Sequence, residues 1–194
     1  MSKLIAICGP DRVGKATQTQ LLVDHLKNLG HRACRVEVPV KGNMIYPIIY
    51  WMLRNGLAKK LPKTFQWLQY FNRQIFQWTT LPALQRDYDF IVFDRWSLST
   101  LVYGAAEGVP LSFTLPLTRR LVHPDLTIVL TGQSHLHEPE DVYESDSQLQ
   151  STVRNLYSSW CHDSDDIVAV DADGGPVDVH KRILYQLKMA EISA

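Results

Sequence analysis

The stretch GPDRVGKAT, residues 9–17, decides the fold, because it has the spacing of a loop that binds phosphate groups. It follows a short apolar run and leads into a segment with helical periodicity. In loops of the form G-x-x-x-x-G-K-[ST], backbone N–H groups and the lysine bind phosphates, and the final hydroxyl binds Mg²⁺. Gly9, Gly14 and Lys15 occupy the first three of these positions, but Ala16 stands where the hydroxyl is expected. The sequence therefore predicts a phosphate site that lacks one usual magnesium ligand.

The composition predicts one soluble domain. The chain has 194 residues, of which 45% are hydrophobic and 21% are charged, as is usual for globular domains. Its 20 basic and 20 acidic residues leave no net charge that would favour nucleic acid or a membrane surface. The three cysteines show no metal-ligand spacing, so we expect free thiols in a reducing cytoplasm. We find no signal-like or membrane-spanning apolar segment and expect an intracellular protein.

Short apolar runs without alternation predict buried parallel strands, since such strands are covered on both faces. We place them at Leu4–Cys8, Ala33–Val38, Phe90–Phe93 and Leu126–Leu130, with a weaker fifth at Ile167–Val170. Helical patterns lie between them, which predicts an α/β fold. About five parallel strands should form a sheet between two layers of helices, with ligands at the carboxyl ends of the strands.

Two helices have distinct signals. Leu22, Leu26 and Leu29 recur at helical spacing, and Gly30 is a natural stop. A second helix is expected over Thr64–Arg86, a stretch rich in aromatic residues. Its apolar face is a candidate surface for forming a homodimer, although the pattern equally fits an ordinary core.

A carboxylate and a guanidinium follow the third predicted strand, in FDRWS at residues 93–97. Asp94 is placed to hold magnesium or its water, and Arg95 to bind a second phosphate in a forked geometry. An Asp-Arg pair alone is often a surface ion pair. Its place after a buried strand, in a chain with a phosphate loop, favours the functional interpretation.

The chain resembles the thymidylate kinase family. Its loop G-P-D-R-V-G-K and its motif D-R-W-S-L-S-T match the motifs of that family. Further matches follow in family order over nearly the whole chain: FNR at 71–73, HPDLTIVL at 123–130, VYE at 142–144 and VDA at 170–172. The resemblance implies a three-layer P-loop kinase fold in one domain, residues 1–194, with a lid at about 131–150. It also implies ATP as phosphate donor, Mg²⁺ as cofactor and a homodimer.

The resemblance assigns roles to individual residues. The catalytic residues would be Arg12, Lys15, Asp94 and Arg95, with Asp94 holding the metal. ATP would be bound by Gly9, Arg12, Val13, Gly14, Lys15, Ala16 and Thr17. The acceptor nucleotide would be bound by Asp11 at the 3′-hydroxyl, Arg73 near the base and phosphate, Arg95 at the α-phosphate, Ser99 and Gln150 at the base, and Tyr103 beneath the deoxyribose. Tyr103 would also discourage a 2′-hydroxyl, although a buried helix-face aromatic is the plain alternative for this residue.

Arg12 is the predicted catalytic arginine. Phosphoryl transfer develops charge that an inserted arginine stabilises by about 10³–10⁵ in rate. Members of the resembled family carry that arginine in the phosphate loop or in the lid. No lysine or arginine occurs from Leu121 to Val153, so the lid cannot supply it. This pattern resembles the eukaryotic and viral type, with the arginine in the loop.

Three positions depart from the resembled pattern. Ala16 lacks the magnesium-binding hydroxyl, and Thr17 points about 100° away on a helix, so phosphates, water and Asp94 are expected to hold the metal. Gln69 stands where the family carries a phenylalanine that stacks on thymine. The segment VPVKG, residues 38–42, lacks the acidic residue usual after its proline.

These observations predict a kinase that converts ATP and dTMP to ADP and dTDP. Gln69 leaves open a kinase for another or modified deoxynucleoside monophosphate, such as a dUMP derivative. Ala16 leaves open a non-catalytic nucleotide-binding protein. If Gln69 is not at the base, the next candidates for the pocket wall are Trp67, Leu68 and Tyr70.

Overall fold

Five parallel strands form a single sheet in the computed structural model, which describes residues 2–132, 146–161 and 166–192. The strands are β1 Lys3–Cys8, β2 Ala33–Glu37, β3 Phe90–Asp94, β4 Leu126–Thr131 and β5 Ile167–Asp171. Their spatial order is β2-β3-β1-β4-β5, and every neighbouring pair is parallel. The predicted α/β class and the five predicted strands are confirmed.

Helices pack on both faces of the sheet. They are α1 Lys15–Asn28, α2 Tyr46–Arg54, α3 Leu57–Lys60, α4 Pro62–Thr79, α5 Leu81–Asp87, α6 Ser97–Ala106, α7 Leu111–Thr118, α8 Ser147–Trp160 and α9 Pro176–Met189. The prediction of one helix over Thr64–Arg86 is wrong, because α4 ends at Thr79 and α5 begins at Leu81. Pro82 explains the break, since proline has no backbone N–H to continue the helical hydrogen bonds and its ring clashes with the preceding turn.

Two apolar clusters cover the sheet, one on each face. Ile5 and Ile7 of β1 belong to the cluster that also contains residues of α1 and α9. Leu4 and Ala6 belong to the cluster that contains residues of α4, α6 and α8. Successive side chains of a strand point to opposite faces, so a strand covered on both sides is apolar throughout. This is the physical reason that the strands were visible in the sequence.

The end of α1 corrects one detail of the helical pattern. Gly30 ends the helix as expected: its φ is +92°, and its N–H donates to the Lys27 oxygen at 2.9 Å. Leu22 and Leu26 are fully buried, but Leu29 is 51% exposed. Leu29 is therefore outside the apolar face, because it lies at the helix cap, where the chain turns away from the core.

The position of β1 explains where a site can form. β1 lies between β3 and β4, so the loop after β1 and the residues after β3 meet at the same edge of the sheet. Trp96 fixes the segment after β3: it is fully buried, its ring stacks on Phe93 with centroids 4.4 Å apart, and Nε1 donates to the Val122 oxygen at 2.8 Å.

Most of the predicted lid lies outside the described residues. Of the range 131–150, the structure describes Thr131, Gly132 and the residues from Asp146 onward. The motif VYE at 142–144 is also outside the described part. Within that part, the helices are too short or too polar to span a membrane.

Gly9→Ala should destabilise the protein because Gly9 lies against β4. Its φ is +143°, and an added Cβ would lie 2.6 Å from the Leu130 oxygen. Backbone in this glycine-only region costs other residues about 1–3 kcal/mol, and the steric overlap adds to that cost. We expect a decrease in the free energy of unfolding, measured in urea without nucleotide, that exceeds the decrease for Gly30→Ala. Gly30 has φ +92° and open space around its Cβ position. Equal losses in the two variants would contradict the close contact.

Candidate active site

Two adjoining cavities open at the carboxyl edge of the sheet. The larger, here called the loop cavity, has a volume of about 720 Å³ and is lined mainly by the phosphate loop and the start of α1. The smaller, here called the side cavity, has a volume of about 260 Å³ and extends toward α4 and α6. Asp11, Glu37, Val38 and Arg95 line both cavities. A ligand in one cavity therefore faces a ligand in the other across these four residues.

The loop cavity contains nearly all of the predicted ATP-binding residues. Its lining includes Arg12, Val13, Gly14, Lys15, Ala16 and Thr17, together with Asp94. Gly9 supports the loop from behind, and its oxygen accepts from Arg95 Nη1 at 3.3 Å. Sequence reasoning missed the opposite wall, which the start of α9 provides. Gln18 connects the two walls, since its Nε2 donates to the Pro176 oxygen at 2.8 Å.

Lys15 is a buried cation at the start of α1. The residue is 6% exposed, and its Nζ donates to the oxygen of Pro10. Burial, together with the charge of Arg95, lowers the pKa of Lys15 to about 7, although Asp11 and Asp94 act in the opposite direction. If a phosphate replaces the Pro10 carbonyl as the partner of Lys15, its negative charge strongly stabilises the charged form of this buried lysine.

Asp11 is the centre of the hydrogen-bond network between the cavities. One carboxylate oxygen, Oδ1, accepts from Arg95 Nη2. The other, Oδ2, accepts from the Tyr103 hydroxyl at 2.7 Å and from Gln150 Nε2 at 2.8 Å. Burial would raise the pKa of Asp11, but the charges of Arg95 and Lys15 and these hydrogen bonds lower it to about 2. Asp11 is therefore a carboxylate at neutral pH.

Gln150 of α8 contacts the phosphate loop. Besides donating to the Asp11 carboxylate, it accepts from the Asp11 backbone N–H at 3.1 Å. Its amide thus binds the backbone and the side chain of one residue, and the lining of the side cavity in the described residues does not include it. Sequence reasoning placed Gln150 at the base, whereas the structure brings it to Asp11. The N-cap Asp146, whose side chain accepts from the Leu149 N–H at 3.0 Å, fixes the helix that carries Gln150.

Two arginines of the site have left-handed backbone conformations. The φ of Arg12 is +64° and that of Arg95 is +70°. L-residues with side chains avoid this region, at a cost of about 1–2 kcal/mol each. Arg12 lines the loop cavity, and Arg95 lies over the Tyr103 ring, with its Cζ 5.3 Å from the centroid. Backbone strain in both positions is characteristic of functional sites.

The side cavity contains the remaining predicted acceptor residues. Gln69, Arg73, Ser99 and Tyr103 all line it. Sequence reasoning missed several other lining residues, which come from four separate segments: Pro39, Leu53, Phe65, Gln66 and Thr100. The three alternative candidates for the pocket wall are not among the residues that line the side cavity. Tyr70 is buried in the core, Leu68 packs against the core, and Trp67 is 46% exposed.

Arg73 and Gln69 form a pair within α4. Arg73 Nη1 donates to the Gln69 backbone oxygen at 2.7 Å and to Gln69 Oε1 at 2.9 Å. Arg73 is 2% exposed, and burial lowers its pKa to about 10, so it remains charged at neutral pH. The spacing of four residues, visible in the sequence, is the spacing at which helical side chains meet.

Asn72 of the FNR motif has a structural role. It is fully buried, its Oδ1 accepts from the Val40 N–H at 2.7 Å, and its Nδ2 donates to the Val40 oxygen at 3.0 Å. It also donates to Asn43 Oδ1 at 2.9 Å. These bonds hold the segment after β2 against α4, and that segment contributes Val38 and Pro39 to the side cavity.

The oxygen donors at the strand ends fit a magnesium ion that keeps several waters. Asp94 and Glu37 are register neighbours on β3 and β2, and both line the loop cavity. Arg35 Nη2 donates to Asp94 Oδ2 at 2.5 Å, which leaves Oδ1 for another partner. Mg²⁺ at nucleotide sites is usually bound by one or two carboxylates together with phosphates. The described residues contain no group of three or more His, Cys, Asp or Glu side chains that could hold a metal by themselves.

Known proteins resemble this chain over nearly its whole length. The sequence profile of the family described as thymidylate kinase matches residues 7–183. A thymidylate kinase from Schizosaccharomyces pombe is 26% identical over 94% of this chain and 90% of its own length. One from Dictyostelium discoideum is 30% identical over 77% of this chain and 68% of its own. The solved structure of a thymidylate kinase from Candida albicans matches with a TM-score of 0.77 at 20% identity, over 98% of this chain and 92% of its own.

Binding of ATP should take up a proton at Lys15. With a pKa of about 7, Lys15 is mostly neutral at pH 8 in the free protein, and phosphates favour its charged form. Titration calorimetry at pH 8, in buffers of different ionisation enthalpy, should therefore show uptake approaching one proton. The affinity should fall by up to about tenfold per pH unit above 7. Lys15→Arg, whose side chain is always charged, should show no uptake. Equal uptake in both proteins would contradict the role of Lys15.

Proposed function

The chain belongs to the thymidylate kinase family, and from that membership we propose how its two cavities carry out the reaction of ATP with dTMP to give ADP and dTDP. ATP occupies the loop cavity, and dTMP occupies the side cavity. The observation that carries this assignment is that the cavities meet at Asp11 and Arg95. A γ-phosphate at the end of one cavity and an acceptor phosphate at the end of the other then face each other directly.

The phosphate loop supplies positioning and charge on the ATP side. Its backbone N–H groups and the N-terminus of α1 favour anions. Lys15 leaves the Pro10 oxygen and binds the β- and γ-phosphates as an ammonium ion. Phosphoryl transfer requires little covalent chemistry from the protein, so alignment and neutralisation of charge account for most of the catalysis.

Arg95 and its neighbours position the acceptor nucleotide. Arg95 binds the α-phosphate of dTMP, since its guanidinium can bind a phosphate with two N–H groups at once. Asp11 accepts from the 3′-hydroxyl of the deoxyribose. Tyr103, held by its hydrogen bond to Asp11, packs beneath the sugar where a 2′-hydroxyl would be crowded. Ser99, which lines the side cavity, faces the base together with Arg73 and Gln69.

Arg12 stabilises the transition state. It lines the loop cavity next to Asp11, which lines both cavities, so its side chain is close to where the phosphoryl group is transferred. The segment from Leu121 to Val153 contains no lysine or arginine and cannot contribute a guanidinium. The strained left-handed backbone of Arg12 is consistent with a position maintained for function.

Asp94 would hold Mg²⁺, with Glu37 as a second oxygen donor in the same cavity. The metal supplies neutralisation of charge on the phosphates when it is bound. Arg35 keeps Asp94 oriented through their hydrogen bond. Ala16 lacks the usual hydroxyl ligand, so the remaining ligands would come from the nucleotide phosphates and water.

A coupled ADP-release assay distinguishes this kinase from a non-catalytic nucleotide-binding protein. Coupled release of ADP, measured with dTMP, dUMP, dGMP and UMP, should show turnover with dTMP and little with UMP. Absence of turnover with every monophosphate, combined with normal binding of ATP, would support the non-catalytic alternative and overturn the proposal.

We also infer a homodimer that works in the cytoplasm. Trp67 and Trp78 of α4 are 46% and 69% exposed, which is unusual for large apolar side chains and supports an association through this helix. The three cysteines are free thiols, as in proteins of a reducing compartment. Light scattering should give twice the mass of one chain, and a monomer at micromolar concentration would contradict the dimer.

Arg12→Ala should lower turnover by at least about 10³, because it removes the cation that stabilises the transferred phosphoryl group. The dissociation constants of ATP and dTMP should change little, since the interaction is made in the transition state. Arg119→Ala removes an exposed cation at the end of α7 and serves as the matched control. Near-normal turnover of Arg12→Ala would end this assignment.

Ala16→Ser should lower the Mg²⁺ concentration needed for half-maximal activity, because it restores a hydroxyl ligand. The wild type should already require Mg²⁺, and Asp94→Ala should abolish activity. If Ala16→Ser creates activity in a protein that otherwise has none, the wild type is the non-catalytic form.

A further inference from the structure

One wall of the side cavity offers hydrogen-bond donors. Arg73 Nη1 donates to the Gln69 side chain, and a guanidinium has no acceptor, so the amide orientation is fixed. Oε1 of Gln69 faces Arg73, and Nε2 is the group left for another partner. Among residues 2–132, 146–161 and 166–192, Nε2 of Gln69 has no hydrogen-bond partner.

Arg73 adds a second donor to this wall. The residue is 2% exposed, and its Nε is buried without a partner in the part of the chain that the structure describes. Buried polar groups are normally hydrogen-bonded, and an unpaired donor destabilises the protein. Nε itself is closed to the cavity, but other atoms of Arg73 line the side cavity beside Gln69, so the guanidinium favours an acceptor on a ligand there.

A cation and a free amide donor on one wall match two neighbouring acceptors on one edge of a base. In a 4-oxo pyrimidine, the oxygen at C4 is the first acceptor. Its neighbour on one side is N3–H, a donor, which cannot pair with another donor. On its other side lies C5, where thymine carries an apolar methyl group and where a polar substituent can supply a second acceptor.

We propose that Gln69 and Arg73 select 2′-deoxyuridine monophosphates whose 5-substituent carries an acceptor oxygen, such as 5-formyl-dUMP, in addition to dTMP. The inference rests on the proposed function, because it assigns the base specificity of the same site. A formyl oxygen accepts from Gln69 Nε2. The ammonium of a 5-aminomethyl group offers only donors, so it cannot accept a hydrogen bond from Gln69 Nε2 or from the Arg73 guanidinium.

The test compares kcat/KM for dTMP, dUMP, 5-formyl-dUMP and 5-aminomethyl-dUMP. The wild type should prefer 5-formyl-dUMP over 5-aminomethyl-dUMP by about tenfold or more, the factor that corresponds to one net hydrogen bond. Gln69→Glu keeps an acceptor for Arg73 and replaces the free donor by a second acceptor, so the preference should reverse. Gln69→Leu removes the amide donor and leaves Arg73 in place, so the ratio should fall toward one without reversing. Gln85→Glu, an identical change at an exposed position on α5, should keep the wild-type ratio.

The outcomes separate this inference from the function on which it rests. If dTMP is phosphorylated but the ratio is the same in the wild type and in both Gln69 variants, the inference is wrong and the function stands. If the wild type phosphorylates no monophosphate, the function itself is wrong. The rise in Tm caused by each nucleotide gives a second measurement for a variant with low turnover. It should be larger with 5-formyl-dUMP in the wild type and larger with 5-aminomethyl-dUMP in Gln69→Glu.

Discussion

The buried ion pair between Asp11 and Arg95 is the constraint on which the rest of the site depends. Asp11 belongs to the loop after β1, Arg95 follows β3, and these strands are neighbours in the sheet. Removing one partner of a buried pair leaves an uncompensated charge, which typically costs about 3–5 kcal/mol. Tyr103 and Gln150 bring α6 and α8 to the same carboxylate. One interaction therefore joins four segments and sets the boundary between the two cavities.

The fold could be predicted from the sequence because its strands are buried on both faces. Burial of both faces gives continuous apolar runs, and the spacing of the phosphate loop identified which strand precedes it. The break between α4 and α5 was missed because leucines continue at helical spacing past Thr80, at Leu81 and Leu84, although Pro82 was a visible signal. The exposure of Leu29 was missed because periodicity alone cannot show where a helix leaves the core.

The site could be predicted where a contiguous motif or the family resemblance carries the information. The phosphate loop residues that line the loop cavity are contiguous in the chain, so spacing was sufficient. Glu37 was missed because its proximity to Asp94 depends on the register of two strands that are far apart in sequence. Gln150 was assigned to the base because a sequence cannot show that its amide spans the Asp11 backbone and side chain.

The left-handed backbone at Arg12 and Arg95 means that stability and activity favour different residues at these two positions. Glycine would adopt the same conformation without strain, so the folded backbone alone prefers a residue that has no guanidinium. Random substitution with selection for thermostability alone should therefore tend to erase the guanidinium at Arg12, which is only half-buried. At position 95 the buried ion pair with Asp11 opposes such a substitution. If Arg12 stabilises the transition state as proposed, the arginine at position 12 is maintained by turnover and not by stability, and a related sequence without it would need a guanidinium from another segment, such as the lid, to keep the reaction.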